Sequence, residues 1–167
     1  MRETQVLIVG GGVSGLHTAY ELGKRDIDFL LVEARGRLGG RILSYIAGPS
    51  TCEVSDPGLD LGPSWFWPGQ TRIANLLAEL NLVDDVFSQY ATGDALFEDG
   101  QSIRRGVTGI SMAGAYRLRG GMRQLTKSLE TTLDSQCMRL DACVNRVVFD
   151  DGDIRARLSV DGAPTEI

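Results

Sequence analysis

An α/β fold built around a parallel βαβ unit is predicted by three observations at the start of the chain. A β-branched apolar run, Val6-Leu7-Ile8-Val9, ends directly on Gly10, Gly12 and Gly15. A helical stretch follows, with Leu16, Ala19, Tyr20 and Gly23 on one face. A second apolar run, Phe29-Leu30-Leu31-Val32, then ends on an acid, Glu33. Strand, G-x-G-x-x-G, helix, strand and acid are all in register, with the acid about 20 residues beyond the glycines, the spacing of a dinucleotide fingerprint. The fold class is therefore α/β, a Rossmann-like FAD/NAD(P)-binding domain, with β-hairpins added further along.

Each position of the fingerprint has a physical job. Gly10 turns the chain sharply off the strand, Gly12 lets the backbone approach a pyrophosphate, and Gly15 lets the helix pack closely on the strands. The helix N-terminus directs unpaired N–H groups and a positive dipole end at phosphate. Glu33, at the carboxyl end of the second strand, is suited to accept hydrogen bonds from a ribose diol and repels a 2′-phosphate, so the ligand is FAD or NAD rather than NADP. The loop after it, Ala34-Arg35-Gly36-Arg37-Leu38-Gly39-Gly40-Arg41, is basic and flexible, and its three arginines are candidates to neutralise phosphate charge.

The chain has 167 residues, the length of one domain, so 1–167 is read as a single unit. The net charge of −5 argues against nucleic acid, whose phosphates call for a basic stripe. No apolar run is long enough to span a bilayer. The N-terminus, Met-Arg-Glu leading straight into a strand, is unlike a secretory signal, and a cytoplasmic location is expected. Cys52, Cys137 and Cys143 form no CxxC and have no partner histidines, so no metal site and no disulfide framework is expected. The single histidine, His17, lies one helical turn from Glu21 and reads as a surface residue near a carboxylate.

The remaining elements follow in order. After the fingerprint segment, 1–45, residues 46–58 are rich in Gly, Pro, Ser and Asp and read as loop. Segment 59–82 begins with a short strand at Leu59 that breaks at Gly62-Pro63 beside the cluster Trp65-Phe66-Trp67. It continues with a helix over 71–82, with Thr71 as N-cap and Ile73, Leu76, Leu77 and Leu80 at helical spacing. Segment 94–120 holds a β-hairpin over 95–104 turning at Asp99-Gly100, then a weakly patterned glycine-rich stretch over 106–115. Segment 121–167 holds a helix over 121–134, striped by Met122, Leu125, Leu129 and Leu133, and a strand–turn–strand from Cys143 to Val160 turning over 150–153.

Three segments together resemble the flavin-containing amine oxidases, the group of monoamine, polyamine and L-amino-acid oxidases. They are VLIVGGGVSGLHTAYELGKRDIDFLLVEARGRLGGRI, LDLGPSWFWPGQTRIANLLAELNL, and YRLRGGMRQLTKSLETTL followed by MRLDACVNRVVFDDGD. The run E-A-R-x-R-x-G-G-R from Glu33 to Arg41 is the telling part, because a generic Rossmann protein has no reason to carry it. The resemblance implies a domain of the glutathione-reductase type and FAD rather than NAD. It implies that Gly12, Val13 and Ser14 lie along the pyrophosphate and that Glu33 binds the adenosine ribose, with Gly10, Gly15, Ala34, Arg35 and Gly40 also among the cofactor-binding residues. Arg41 would reach toward the phosphates and ribityl chain. Gly62, Pro63, Ser64 and Trp65 would pass the isoalloxazine ring by backbone contacts. Val144 would meet adenine through its backbone, with Cys143 standing where the family usually has proline.

The resemblance also implies departures. Such enzymes usually run well over twice this length, so the sheet is expected to be incomplete and 94–120 to be a remnant of the substrate region. The later strand with an acidic pattern, the segment that closes the flavin pocket and the lysine that often holds a water near the ring have no counterpart here; Lys127 is not that lysine. No catalytic residue is therefore assigned. The function implied is the FAD-binding part of an oxidoreductase that oxidises a C–N bond of a small-molecule amine by hydride transfer to flavin, with oxygen as acceptor. A non-catalytic dinucleotide-binding module and a subunit of a split oxidoreductase stay open as alternatives. Self-association or a partner subunit is expected wherever an unpaired sheet edge or apolar face is left uncovered.

Overall fold

The computed structural model describes residues 3–45, 58–89, 95–98, 100–106, 114–150, 153–160 and 163–166. Outside the described residues lie nearly all of the expected 46–58 loop with its Cys52, Asp99 of the hairpin turn, most of the 106–115 stretch, and residues 151 and 152 of the last turn. The strands in chain order are β1 (Val6–Val9), β2 (Phe29–Val32), β3 (Ser44–Tyr45), β4 (Leu59–Asp60), β5 (Val86–Ser88), β6 (Ala95–Glu98), β7 (Ile103–Gly106), β8 (Tyr116–Leu118), β9 (Met138–Arg139), β10 (Ala142–Asp150), β11 (Asp153–Val160) and β12 (Ala163–Glu166). The helices are α1 (Val13–Gly23), α2 (Thr71–Glu79) and α3 (Arg123–Thr131). Met1–Pro63 and Gly120–Ile167 make one compact unit, and Ser64–Arg119 another.

In the first unit β1, β2 and β9 form a parallel sheet with β2 in the middle. All four residues of β2 are buried, as an unbroken apolar run predicts for a strand covered on both faces. On one face Leu30 and Val32, with Leu7, pack against Ala142 and Val144 of β10 and Leu158 of β11. Alternation puts Phe29 and Leu31 on the other face. There α1 covers β1 and β2, burying Leu16 and Ala19 completely, and it also packs on α3, whose Leu125 and Leu129 are buried. Each fully buried leucine contributes about 1.5–3 kcal/mol of transfer free energy. Gly23 was expected on the packing face but is exposed, because it is the last residue of α1 and the chain is already turning away.

β10, β11 and β12 form an antiparallel meander in which Phe149 stands opposite Ile154. The register slips between Val144 and Arg146, a bulge that leaves Asn145 without a partner in the ladder. β3 pairs with β4, and the Asp60 carboxylate at the end of β4 accepts from the Ser44 hydroxyl at 2.7 Å and from the Met122 N–H at 2.9 Å. That second bond anchors the start of α3, which begins at Arg123 rather than 121. The helix stops at Thr131 rather than 134, because Asp134 instead caps a short 3-10 turn by accepting from the Gln136 N–H at 2.9 Å.

In the second unit β5 pairs antiparallel with β8, and β6 with β7 as the expected hairpin. Phe66 and Tyr116 exchange backbone hydrogen bonds of 3.1 and 2.7 Å. Gln70, not Thr71, is the residue preceding α2: its side-chain oxygen takes the Trp67 N–H at 3.0 Å while the Thr71 N–H bonds to the Gly69 carbonyl at 2.9 Å, which makes Thr71 the first helical residue. The helix ends at Glu79, ahead of Asn81 in a left-handed conformation.

Candidate dinucleotide site

The site grows out of the carboxyl end of β1. The Gly10 N–H bonds to the Val32 carbonyl at 2.7 Å, and with φ at +102° the chain then leaves the sheet. Gly12 precedes α1 in an extended conformation, and Leu16 N–H to Gly12 carbonyl is the first bond of the helix. The first N–H groups of a helix have no carbonyl one turn back to bond. Among the described residues no side chain caps them and no acid lies in the first turn, so these N–H groups stay open to a ligand. Gly15 is needed by the fold itself: a Cβ there would strike the backbone carbonyl of Gly10. A Cβ at Gly12 would come no nearer than 3.8 Å to any other atom, so the protein's own packing does not require glycine at that position.

Glu33 ends β2 and is 8% exposed. Its main chain joins two strands, the N–H bonding to the Arg139 carbonyl and the carbonyl accepting from the Ala142 N–H, both at 2.9 Å. Its carboxylate faces the glycine turn: Oε2 accepts from the Gly11 N–H at 2.8 Å and Oε1 from the Arg35 N–H at 2.9 Å. Each oxygen retains a further lone pair for another donor. Beside it lies a cavity of about 320 Å³, bounded by Val9 and Gly10 at the end of β1, by Val32 to Arg35 at the end of β2, and by Ala142, Cys143 and Val144 of β10.

The basic loop 34–41 lies against the glycine turn. The Gly39 N–H bonds to the Gly11 carbonyl at 2.8 Å, and Gly12 and Gly39 form a parallel bridge. Gly40 has φ of +57°, and a Cβ on it would stand 3.0 Å from the Gly12 Cα, so both conformation and space call for glycine there. The three arginines part company. Arg35 is exposed at the cavity, and Arg41 is exposed with its carbonyl against Gly62. Arg37 is half-buried and its guanidinium is taken up by carbonyls of its own loop, Leu38 at 3.2 Å and Gly40 at 3.1 Å.

Most of the residues singled out in the sequence are thus drawn together in the first unit: Gly10, Gly12, Val13, Ser14 and Gly15 at the turn, Glu33, Ala34, Arg35 and Val144 at the cavity, and Gly40, Arg41 and Gly62 along the loop. Pro63 closes that unit, whereas Ser64 and Trp65 open the second. Ser64 is buried there, and the half-exposed Trp65 donates its indole N–H to the Gln89 side chain at 2.9 Å. Gly11 and Gly39 are not among the residues singled out as cofactor-binding, although the middle glycine of Gly10-Gly11-Gly12 and the Gly39-Gly40 doublet were the available signals. Exposed His17 packs its ring near Tyr20, and Glu21 pairs with Lys24 and Arg25 instead, each at 2.9 Å. Cys137 and Cys143 are free thiols. Among the described residues no group of three or more His, Cys, Asp or Glu could hold a metal ion, and no helix is long and apolar enough to cross a membrane.

Comparison with known proteins agrees with this geometry. Residues 8–80 match the model of the NAD(P)-binding Rossmann-like domain. Over 94 residues, 53% of this chain and 17% of the relative, the chain is 35% identical to amine oxidase [flavin-containing] A of Canis lupus familiaris. It is 31% identical over 107 residues to putrescine oxidase of Kocuria rosea, covering 64% of this chain and 20% of that one. The fold resembles putrescine oxidase bound to putrescine, with a TM-score of 0.74 at 19% identity over 98% of this chain and 56% of that one. Cyclohexylamine oxidase from Brevibacterium oxydans gives a TM-score of 0.77 at 13% identity, over 99% of this chain and 56% of that one. The chain thus spans 17% and 20% of the length of these two curated relatives and 56% of each of these two solved structures.

Proposed function

We propose that this chain, which belongs to the flavin-containing amine oxidase family as its N-terminal dinucleotide-binding part, binds FAD and serves an oxidoreductase that oxidises a C–N bond of a small-molecule amine. The observation that carries the reading is Glu33: a buried carboxylate bonded to the glycine turn by Gly11 and set beside a cavity at the carboxyl ends of parallel strands. Ligands of open α/β sheets bind at such strand ends.

The residues present fit the cofactor. The uncapped end of α1 offers N–H donors and a positive dipole to a pyrophosphate, and the open side of Gly12 leaves room for it. Gly10, Gly12, Val13, Ser14 and Gly15 would line that group. The free lone pairs of Glu33 would hold the ribose hydroxyls, with Ala34 and Arg35 beside it and the Val144 backbone toward adenine. Gly40 and Arg41 would continue toward the phosphates and ribityl chain, and the stretch Gly62-Pro63-Ser64-Trp65 would meet the ring by backbone contacts. When bound, FAD would supply the acceptor for a hydride equivalent from the carbon beside the amine nitrogen. The task of this chain's own residues is to bind and orient the cofactor; no proton transfer is assigned to them.

The test is the visible absorption spectrum of the purified protein before and after denaturation. Oxidised-flavin bands with release of FAD are expected. Colourless protein that takes up no added FAD would sink the proposal. We further propose that the apolar surface at Phe149 and Ile154, 77% and 66% exposed, is covered by a second copy or another chain. Sedimentation of a monomer at every concentration of the protein would rule out self-association.

A further inference from the structure

We propose that Arg37 is a positioning residue: by a fork of two hydrogen bonds to its own loop's carbonyls it holds Gly39 and Gly40 in the shape that packs on the glycine turn, and it acts through that geometry rather than by placing its charge on a phosphate. The inference rests on the FAD-binding reading but makes a claim that the apoprotein alone can decide.

Gly39 and Gly40 lie against Gly11 and Gly12 through the Gly39 N–H to Gly11 carbonyl bond of 2.8 Å and the close approach of Gly40 to the Gly12 Cα. Gly39, at φ of +100°, and Gly40, at +57°, are consecutive residues in the left-handed region. A Gly-Gly pair has the largest conformational entropy to lose, so nothing in its own chemistry holds that shape. The shape therefore needs an external clamp. Arg37 reaches over the pair from the residue two positions before it: one Nη donates to the Leu38 carbonyl at 3.2 Å and the other to the Gly40 carbonyl at 3.1 Å, bracketing Gly39. A guanidinium is suited to this because its planar fork offers two donors at fixed separation, whereas a lysine ammonium is a single point charge on a flexible stem. Arg41, at the end of the same loop, makes no side-chain hydrogen bond or ion pair among the described residues and is exposed. The two arginines of R-x-G-G-R thus have different work.

The experiment compares Arg37→Lys, Arg37→Gln and Arg41→Gln in the apoprotein by amide hydrogen exchange and in the presence of FAD by titration. The Gly39 amide, bonded to the Gly11 carbonyl, is expected to exchange at least about tenfold faster in both Arg37 variants, as loosening of the loop on loss of hydrogen bonds from a charged donor requires. β1 and β2 amides should be unchanged, and Arg41→Gln should leave the Gly39 exchange rate of the apoprotein as in the parent. FAD affinity should fall equally in the lysine and glutamine variants. Retained protection in Arg37→Lys, or affinity that follows charge rather than the fork, would overturn the proposal. If the variants fail to fold, the parent protein still decides: two distinct Nη resonances with slow rotation about Nε–Cζ are expected by ¹⁵N NMR, and fast averaging refutes the clamp. Failure of the parent to bind FAD would remove the functional reading and leave the exchange result standing.

Discussion

The backbone N–H of Gly11 donates to Oε2 of Glu33 at 2.8 Å, across twenty-two positions of sequence, while the other carboxylate oxygen takes the Arg35 N–H at 2.9 Å. One acid thereby ties the turn after β1 to the loop after β2. Glu33→Ala would leave the buried Gly11 N–H without an acceptor. A stability loss of about 1–3 kcal/mol is expected in urea denaturation. FAD affinity should fall by at least about tenfold, the equivalent of one good hydrogen bond to a charged group. Glu33→Gln keeps one acceptor oxygen and should lie between. Unaltered FAD affinity in Glu33→Ala would remove this acid from the site.

Gly12 and Gly15 separate a ligand's demand for glycine from the fold's demand. A Cβ at 12 meets no other atom within 3.8 Å, so Gly12→Ala should leave the thermal stability of the apoprotein within about 0.5 kcal/mol of the parent and should weaken FAD binding. A Cβ at 15 meets the Gly10 carbonyl, so Gly15→Ala should destabilise the apoprotein by about 1–3 kcal/mol through forced backbone shifts. The bulkier Gly12→Val should abolish binding. The reverse ranking in a melting experiment without FAD would contradict the assignment of roles.

Asp60 is a tether rather than a ligand-binding group. Its carboxylate accepts from Ser44 and from the N–H of Met122, at the entry to α3. Asp60→Ala should cost about 1–3 kcal/mol by stranding those donors. Asp60→Asn keeps one acceptor and should recover part of the loss. Calorimetry on the two variants checks this, and equal melting of Asp60→Ala and the parent would show that the tether is slack.

Glu21 has a carboxyl held below the ordinary range by its neighbours. The hydrogen bond from Lys24 and its charge, with smaller contributions from Arg25, lower its pKa from the ordinary 4.5. A depressed folded-state value means stability that is fully present above 4.5 and fades as pH falls through the lowered value. The carboxylate lies at the surface with its side chain partly exposed, so solvent screening keeps the effect small. An NMR titration of the Glu21 side-chain carbonyl should show a midpoint below that of a model peptide. Lys24→Ala should move the midpoint back upward, and a midpoint insensitive to Lys24 would disprove the pairing.

Read residue by residue, the chain determined its βαβ unit and the glycines and acid that meet at the end of its first two strands. The reason is that these depend on local patterns: a β-branched run, glycines at fixed offsets, a period-3.6 stripe and an acid at a strand end. The terminal hairpin was legible for the same reason. Tertiary structure alone decided what has no local signature. β9 is two residues long, too short for any period, and exists because Leu31 and Val32 offer it a parallel edge. The limits of α3 are set by Asp60, which lies 62 positions away in sequence from Met122, and by the competing cap at Asp134. The sequence presented Arg35, Arg37 and Arg41 as equals, because charge and composition cannot tell a guanidinium facing solvent from one facing carbonyls. Only the folded loop, with two glycines in left-handed conformations beneath it, turned Arg37 inward onto its own backbone and left Arg41 outside.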